Sequence, residues 1–231
     1  MPPRTRESEE QRRQRLWLVE HECRTAGARL LAGVDEAGRG PLAGPLVVAA
    51  VILPVDFCPA GLNDSKQVSR ERRATLAVEI RAAAVAWAVE VVPVDLIDTL
   101  NILRATHFGM RAVLQSLLPS PDMALIDGLP LPDCPCPSRN LVKGDARSAS
   151  IAAASILAKV TRDHLLCELD TTYPGYGFAQ HFGYPTPAHL DALRRHGPCP
   201  AHRRSFAPVR DCIQPSLFAE RQREDGPCTT P

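Results

Sequence analysis

Four carboxylates stand at the ends of short apolar runs: Asp35 and Glu36 in LAGVDEAGRGPLAG, Asp127 in ALIDG, and Asp145 in LVKGD. If each run is a buried strand, its end delivers an acid to a common edge. Acids crowded into a small volume raise one another's pKa and cannot all stay ionised without cations between them. Mg²⁺ and Mn²⁺ are hard ions that prefer such oxygen ligands. A pair of them held by carboxylates suits in-line displacement at a phosphodiester. These residue types therefore predict a metal-dependent nuclease.

Each acid also has a plainer reading. Asp35 and Glu36 are adjacent, so in a strand their side chains point to opposite faces. Both reach one site only if the strand ends or bulges there, which the following Ala-Gly-Arg-Gly permits; otherwise they are solvated acids at a turn. Asp127 precedes Gly128 and could cap a turn. Asp145 precedes a long helical pattern and could be its N-cap, a role compatible with presenting one oxygen to a metal. Asp163 in KVTRD is a rival for the fourth acid. It lies about 27 Å from Asp145 along a continuous helix, so one metal pair cannot use both. Asp145, next to a strand end, is preferred, and Asp163 is expected to be a surface or ion-pairing residue.

The elements that must position these acids follow from pattern. LLAGVDE (30–36) and PLVVAAVIL (45–53) read as strands joined by the glycine-rich AGRGPLAG. That loop matches neither GxGxxG nor a P-loop, which excludes a dinucleotide fold. Its glycines would let backbone amides approach a ligand closely, with Arg39 projecting toward phosphate or sugar. A helix is predicted from Ser69, a third strand over AWAVEVV (86–92), and a helix through NILRATHFGMRAVLQSL. DMALID (122–127) reads as a short buried strand, 128–139 as proline-rich loop, and NLVK (140–143) as a brief strand. A small-residue helix is predicted from Ala146 to about Leu169, able to pack close to the sheet, and a shorter one near Thr186 and Pro187. The tail after Pro208 carries little core-forming pattern.

Composition restricts the alternatives. A chain of 231 residues suits one core with an appended part. An aromatic share of 5% argues against a stacking platform for single strands. With a formal net charge of +1, nucleic-acid affinity would need a local basic face. No apolar run is long enough to span a membrane, and the charged opening MPPRTRESEEQRRQRLW lacks a signal core. The eight cysteines form neither CxxC pairs nor a disulfide framework, and no His/Cys pair follows Cys134-Pro135-Cys136 at zinc spacing. Reduced thiols in a cytoplasmic monomer are the expectation.

The stretch from about Leu30 to Phe206 resembles ribonuclease HII, the bacterial type 2 ribonuclease H. The resemblance is carried in order by AGVDEAGRGPLAGPLVVAAVIL, GLNDSK, LNILRAT, ALIDG, VKGDARSASIAAASILAKVTRD, YPGYGFAQHFGYPTPAHL and HRRSF. It implies an α/β ribonuclease H-like fold, a central mixed sheet flanked by helices, with a small helical C-terminal part. The expected division is a polar extension over 1–28, the catalytic domain over 29–208, and a tail over 209–231. The resemblance implies cleavage of RNA in RNA–DNA hybrids and on the 5′ side of single ribonucleotides in duplex DNA. It assigns the metal ligands to Asp35, Glu36, Asp127 and Asp145, with Mn²⁺ or Mg²⁺ as cofactor. Its GRG motif falls on Gly38, Arg39 and Gly40, and its junction-sensing tyrosine on Tyr184, otherwise a half-buried packing residue. Lys66 in NDSK is expected to meet a backbone phosphate, as is the Arg203-Arg204 pair, for which a solvated face is the alternative.

The tail adds one motif of its own. Gln214-Pro215-Ser216-Leu217-Phe218 resembles the QxxLF peptides that bind the bacterial sliding clamp, in which Leu and Phe fill an apolar pocket and Gln sets the register. Alternatively, Ile213, Leu217 and Phe218 share one helical face and dock a last helix on the core. The sequence leaves both readings open.

Overall fold

The apolar stretch from Leu31 to Ile52, interrupted by its glycine-rich loop, folds back on itself. Strand β1 (Leu31–Ala37) pairs antiparallel with β2 (Leu46–Ile52), in register from Ala32↔Ile52 to Ala37↔Val47. Every residue of β2 is buried, as expected of a strand covered on both faces. Strand β3 (Ala86–Val92) adds antiparallel to β2. On the other side, β4 (Met123–Asp127) runs parallel to β1, and β5 (Ser138–Leu141) runs parallel to β4. The result is a mixed sheet of order β3-β2-β1-β4-β5, which meets the expected architecture.

The computed structural model describes residues 7–213. It divides into two units: one formed by the chain to Arg39 with Pro45–His164, the other by Gly40–Gly44 with the chain from Leu165 onward. The first holds the sheet and the helices α1 (Glu9–Thr25), α2 (Arg70–Ala83), α3 (Val94–Leu100) and α4 (Ile102–Gln115). Helix α5 (Ala149–Thr172) begins there. Its residues Ala149, Ile151, Ala152, Ala153, Ala154, Ile156, Leu157 and Ala158 are all fully buried. Small side chains let it lie so close to β1 that a Cβ on Gly33 would collide with the backbone of Ser150 and Ile151.

The second unit carries α6 (Phe178–His181), α7 (Pro187–His196) and α8 (Ala207–Ile213). Its core gathers Tyr176, Phe178, Ala192, Cys199 and Ala201 around Ala43. Thr186 caps α7 by accepting the His189 amide, with Pro187 at the first helical position. Val209 of α8 is buried against Leu42 and Leu193. The chain just past Pro208 therefore does contribute to a core, through Val209 and the partly buried Cys212, too sparse to register as a pattern. Residues 214–218, with the QPSLF motif, lie outside the described residues.

Two boundaries and one element differ from the sequence expectation. The last strand is Ser138–Leu141 rather than 140–143, because Lys143 takes a left-handed conformation that ends pairing. The long helix starts at Ala149, not Ala146, since Gly144–Ala146 form a 3-10 turn first. Helix α3 went unforeseen: seven residues are too few to display a period. Among the described residues, no helix is long and apolar enough to cross a membrane. No disulfide joins the described cysteines to one another, and the Cys136 thiol is pushed up to about 12, first by burial and then by Cys134 beside it.

Helix α1 is polar overall, yet one stripe of it is core. Ser8 and Gln11 close a reciprocal capping box at its start. Val19 and Cys23 pack with Leu31, Leu125, Leu141 and Ile151. Glu20 is fully buried on the same stripe. Its Oε1 accepts the Ser148 hydroxyl at 2.6 Å and the Ser150 amide at 3.0 Å, while Oε2 is buried without a partner. Burial raises the Glu20 pKa, and the Ser148 and Ser150 hydrogen bonds only partly oppose it. A raised folded-state pKa means that the native protein holds this proton more tightly than the unfolded chain. The associated stability is therefore complete below the ordinary carboxylate range and is lost as pH rises through the folded value. Glu20→Gln keeps the acceptor and removes the titration. Between about pH 4 and about pH 8, the thermal midpoint of the wild type should fall relative to that of Glu20→Gln; parallel curves would show that Glu20 does not titrate there.

Candidate active site

The strand register brings the predicted acids to one end of the sheet. The parallel β1–β4 ladder has its last rung at Val34↔Ile126. The next residue on each strand is Asp35 and Asp127, so the two carboxylates stand level on adjacent strands. The Asp35–Glu36 pair was expected to need a strand end or a bulge. The strand does end there toward β4, but toward β2 it continues without a bulge to Ala37↔Val47. Asp127 Oδ1 accepts the Gly144 amide at 2.6 Å, which ties the strand end to the turn carrying Asp145. Asp145 is not the N-cap of α5. Ser148 fills that place by accepting the Ile151 amide at 3.2 Å, which leaves the Asp145 carboxylate to the cluster.

Electrostatics report how closely the acids are gathered. The Asp35 pKa is pushed well above the usual carboxylate range, first by burial and then by Glu36 and Asp127; hydrogen bonds from Ser155 and the Glu36 amide oppose the rise. Glu36 is raised mainly by burial and also by Asp127, against the lowering effect of Arg39, whose guanidinium lies 3.4 Å from Glu36 Oε1. Asp145 is raised by burial, then by Asp64 and Asp127, with Lys66 opposing. Burial alone would lower the Lys66 pKa, yet Asp64, Asp145, Asp35 and Asp127 together raise it. Lys66 thus lies in the field of the acids, which a phosphate contact alone would not have predicted.

Asp64 is the member that sequence reasoning missed. It caps the 3-10 turn Ser65–Gln67, its side chain accepting the Lys66 amide at 2.9 Å. A turn-capping aspartate looks the same in sequence whether or not the fold carries it to other acids. Asp163 takes no part: it is buried and paired with Lys159 at 2.7 Å and Arg73 at 3.8 Å. It is the ion-pairing residue expected, though not a surface one.

The donor set fits hard divalent ions. All the candidate ligands are carboxylate oxygens, and their mutual repulsion inside a partly buried space is what bound cations would relieve. Among the described residues, no three His, Cys, Asp or Glu side chains are disposed as a finished cage. Mg²⁺ does not require one, since it keeps several waters and takes one or two carboxylates along with substrate phosphates.

The glycine-rich loop follows directly from β1. Gly38 has φ 103°, and a Cβ there would run into the Arg162 side chain, whose Nε donates to the Pro45 carbonyl at 3.1 Å. Glycine is needed on both counts. In the second unit, a Cβ on Gly40 would lie 3.8 Å from the Tyr184 ring. Tyr184 is 43% exposed, whereas its backbone is held by the His181 carbonyl, the Thr186 amide and His189 Nδ1. The backbone is fixed while the ring is more exposed than the half-buried packing residue of the alternative reading. Arg203, by contrast, is fully buried and donates from Nε and Nη2 to the Gly44 carbonyl at 3.0 and 2.8 Å. Neither a phosphate contact nor a solvated face describes it; only Arg204 of that pair is exposed.

Comparison with known proteins gives the family. The family described as Ribonuclease HII matches residues 32–209. A ribonuclease HII of Geobacillus kaustophilus (strain HTA426) is 53% identical over 207 residues, covering 90% of this chain and 79% of that protein. The crystal structure of ribonuclease H2 from Pyrococcus horikoshii OT3 is similar with a TM-score of 0.67 at 26% identity, over 85% of this chain and all of that one. The ribonuclease HII of a PCNA:RNase HII complex from Archaeoglobus fulgidus gives 0.64 at 26% identity, over 78% of this chain and 96% of that one. Matched over most of its length in sequence and in fold, the chain belongs to the ribonuclease HII family.

Proposed function

We propose that this endonuclease, which hydrolyses RNA in RNA–DNA hybrids, also cuts duplex DNA on the 5′ side of a single embedded ribonucleotide, leaving 5′-phosphate and 3′-hydroxyl ends. The carrying observation is the level placement of Asp35 and Asp127 one residue past the last β1–β4 rung, with Asp145 tied to them through Gly144. Asp35, Glu36, Asp127 and Asp145 are the proposed ligands of two Mg²⁺ or Mn²⁺ ions. When bound, such ions supply an activated water and charge stabilisation at the departing 3′ oxygen.

The chain's own groups bind and discriminate. The RNA strand differs from DNA by its 2′-hydroxyl, a donor and an acceptor at once. Backbone groups of Gly38, Arg39 and Gly40 are proposed to read it, because no side chain at either glycine blocks the approach. Lys66 is proposed to neutralise the acids in the free enzyme and to meet phosphate in the complex. The exposed Tyr184 ring is assigned to the deoxyribose on the 3′ side, where it favours an RNA-to-DNA junction. Removal of misincorporated ribonucleotides and of RNA primers is the role this selectivity serves.

A duplex carrying one ribonucleotide, with both product ends mapped, tests the reaction. Wild type should cut it 5′ of the ribonucleotide in Mg²⁺ or Mn²⁺, Asp35→Asn should fold but not cut, and Asp163→Asn should cut near normally. An Asp163→Asn variant as inactive as Asp35→Asn would move the fourth ligand. Tyr184→Ala should lose more activity on the single ribonucleotide than on a long RNA stretch, by about 1–3 kcal/mol if its contact resembles stacking on nucleic acid. Equal losses would remove its junction role.

The clamp is the proposed partner of Gln214, Leu217 and Phe218. Two observations support it. The Archaeoglobus fulgidus relative is seen with PCNA. In this chain Ile213, the first anchor of the docked-helix alternative, is 42% exposed. Calorimetric titration of the cognate clamp with a 209–225 peptide should give binding that Leu217→Ala/Phe218→Ala abolishes. No binding by the native peptide would return the tail to the docked-helix reading.

A further inference from the structure

Helix α1 lies outside the residues that match the family, yet its side chains reach the segment that carries Asp145. Arg15 donates through Nη1 to the Ala146 carbonyl. Five residues on, Glu20 accepts from the Ser148 hydroxyl and the Ser150 amide through one oxygen. On the other flank, Asp127 holds the Gly144 amide. Asp145 is thus the centre of a short turn whose backbone is tied at 144 by the sheet and at 146 and 150 by α1, which also holds the Ser148 side chain.

Neither contact is incidental. Arg15 is itself set by a two-pronged pair with Glu7, Nε to Oε1 at 2.8 Å and Nη2 to Oε2 at 2.9 Å. Such a pair leaves Nη1 aimed in a fixed direction. Glu20 is a buried carboxylate aimed at the start of a 24-residue helix, where accepting an amide satisfies one of the donors that a helix leaves open. The helix bearing both is fastened to the sheet by Val19 and Cys23 and by Glu22 with Arg139 at 2.9 Å. Its first turn also holds the loop leading to Asp64 and Lys66, since Glu9 Oε1 accepts the Gly61 amide at 2.7 Å.

We propose that α1 is a positioning element of the metal site, with Arg15 and Glu20 fixing the 144–150 segment so that Asp145 faces Asp35 and Asp127. The proposal rests on Asp145 being a metal ligand. Groups that orient a ligand without touching the ion commonly matter to affinity almost as much as the ligand. Loosening the turn should weaken ion binding while leaving the fold, which α1 also supports through its apolar stripe, in place.

The test is Mn²⁺ binding by the full-length protein without substrate, followed by the spin-resonance signal of the free ion, with thermal midpoints measured alongside. Arg15→Ala should raise the Mn²⁺ dissociation constant on the order of tenfold with little change in midpoint, and Arg15→Lys should recover little of the loss, because one ammonium cannot both pair with Glu7 in two prongs and reach the Ala146 carbonyl. Glu20→Ala should act in the same direction and Glu20→Gln should restore affinity, because the oxygen facing Ser148 and Ser150 is kept. Combining Arg15→Ala with Asp145→Ala should weaken binding no further than Asp145→Ala alone, as expected of two residues acting through one ligand. Unchanged affinity in Arg15→Ala, or losses that simply add in the double variant, would overturn the proposal. Wild-type affinity in Asp145→Ala would instead strike out Asp145 as a ligand, and with it the purpose of the brace.

Discussion

No side chain fits between β1 and α5 at Gly33, and the site depends on that closeness. Backbone nearly touches backbone there, because Ser150 and Ile151 occupy the space a Cβ would need. The approach places the start of α5 over the strand that carries Asp35 and Glu36. It also brings Ser155 within hydrogen-bonding reach of Asp35 and of Ser65 at 2.9 Å. Further along, Arg162 fills the space left by Gly38. Interiors packed to crystal density transmit such constraints with little slack. A single close contact therefore sets one wall of the acid cluster.

Against that packing stands a concentration of negative charge. Asp35, Glu36 and Asp145 are all raised by burial and by their acidic neighbours. Folding without cations must bear this repulsion, which Lys66 and Arg39 offset in part. The fold holds the acids together through main-chain contacts that carry no charge: a parallel ladder, an amide on Asp127, a turn on Asp145. An arrangement unfavourable to the free protein and relieved by divalent ions is well matched to a reaction in which ions and a polyanionic substrate arrive together.

The two units carry different features. The first holds the acids at one end of the sheet. In the second, Tyr184 presents an exposed ring from a backbone fixed by His181, Thr186 and His189. His189 Nδ1 faces the Tyr184 carbonyl, so its Nε2 is left as an acceptor for His202 Nε2, 3.1 Å away. His202 in turn can accept at Nδ1 from the Cys199 amide. This order requires both rings neutral, and burial lowers both, His202 to about 4. Arg203, buried on the Gly44 carbonyl, belongs to the same framework rather than to a substrate face.

Sequence alone determined the strands whose apolar runs are long or bounded by turn residues, the helix starts at Ser69 and Thr186, and the standing of Asp35, Glu36 and Asp127 near strand ends. Those are local matters: side-chain period, capping chemistry and glycine punctuation are written into a few consecutive residues. It placed the last strand two residues late and began α5 three residues early, because a left-handed Lys143 and a 3-10 turn have no distinctive composition. It also took Asp145 as a possible helix cap and Arg203 as a possible surface cation. Only the tertiary structure decided those, and only it brought Asp64 to the cluster and Arg15 and Glu20 to the Asp145 turn. A residue's partners 50 to 130 positions away depend on how strands pair and how closely a helix packs. Whether an acid caps a turn, pairs with a base or joins other acids is settled by those long-range contacts, since its own neighbours in the chain are compatible with all three.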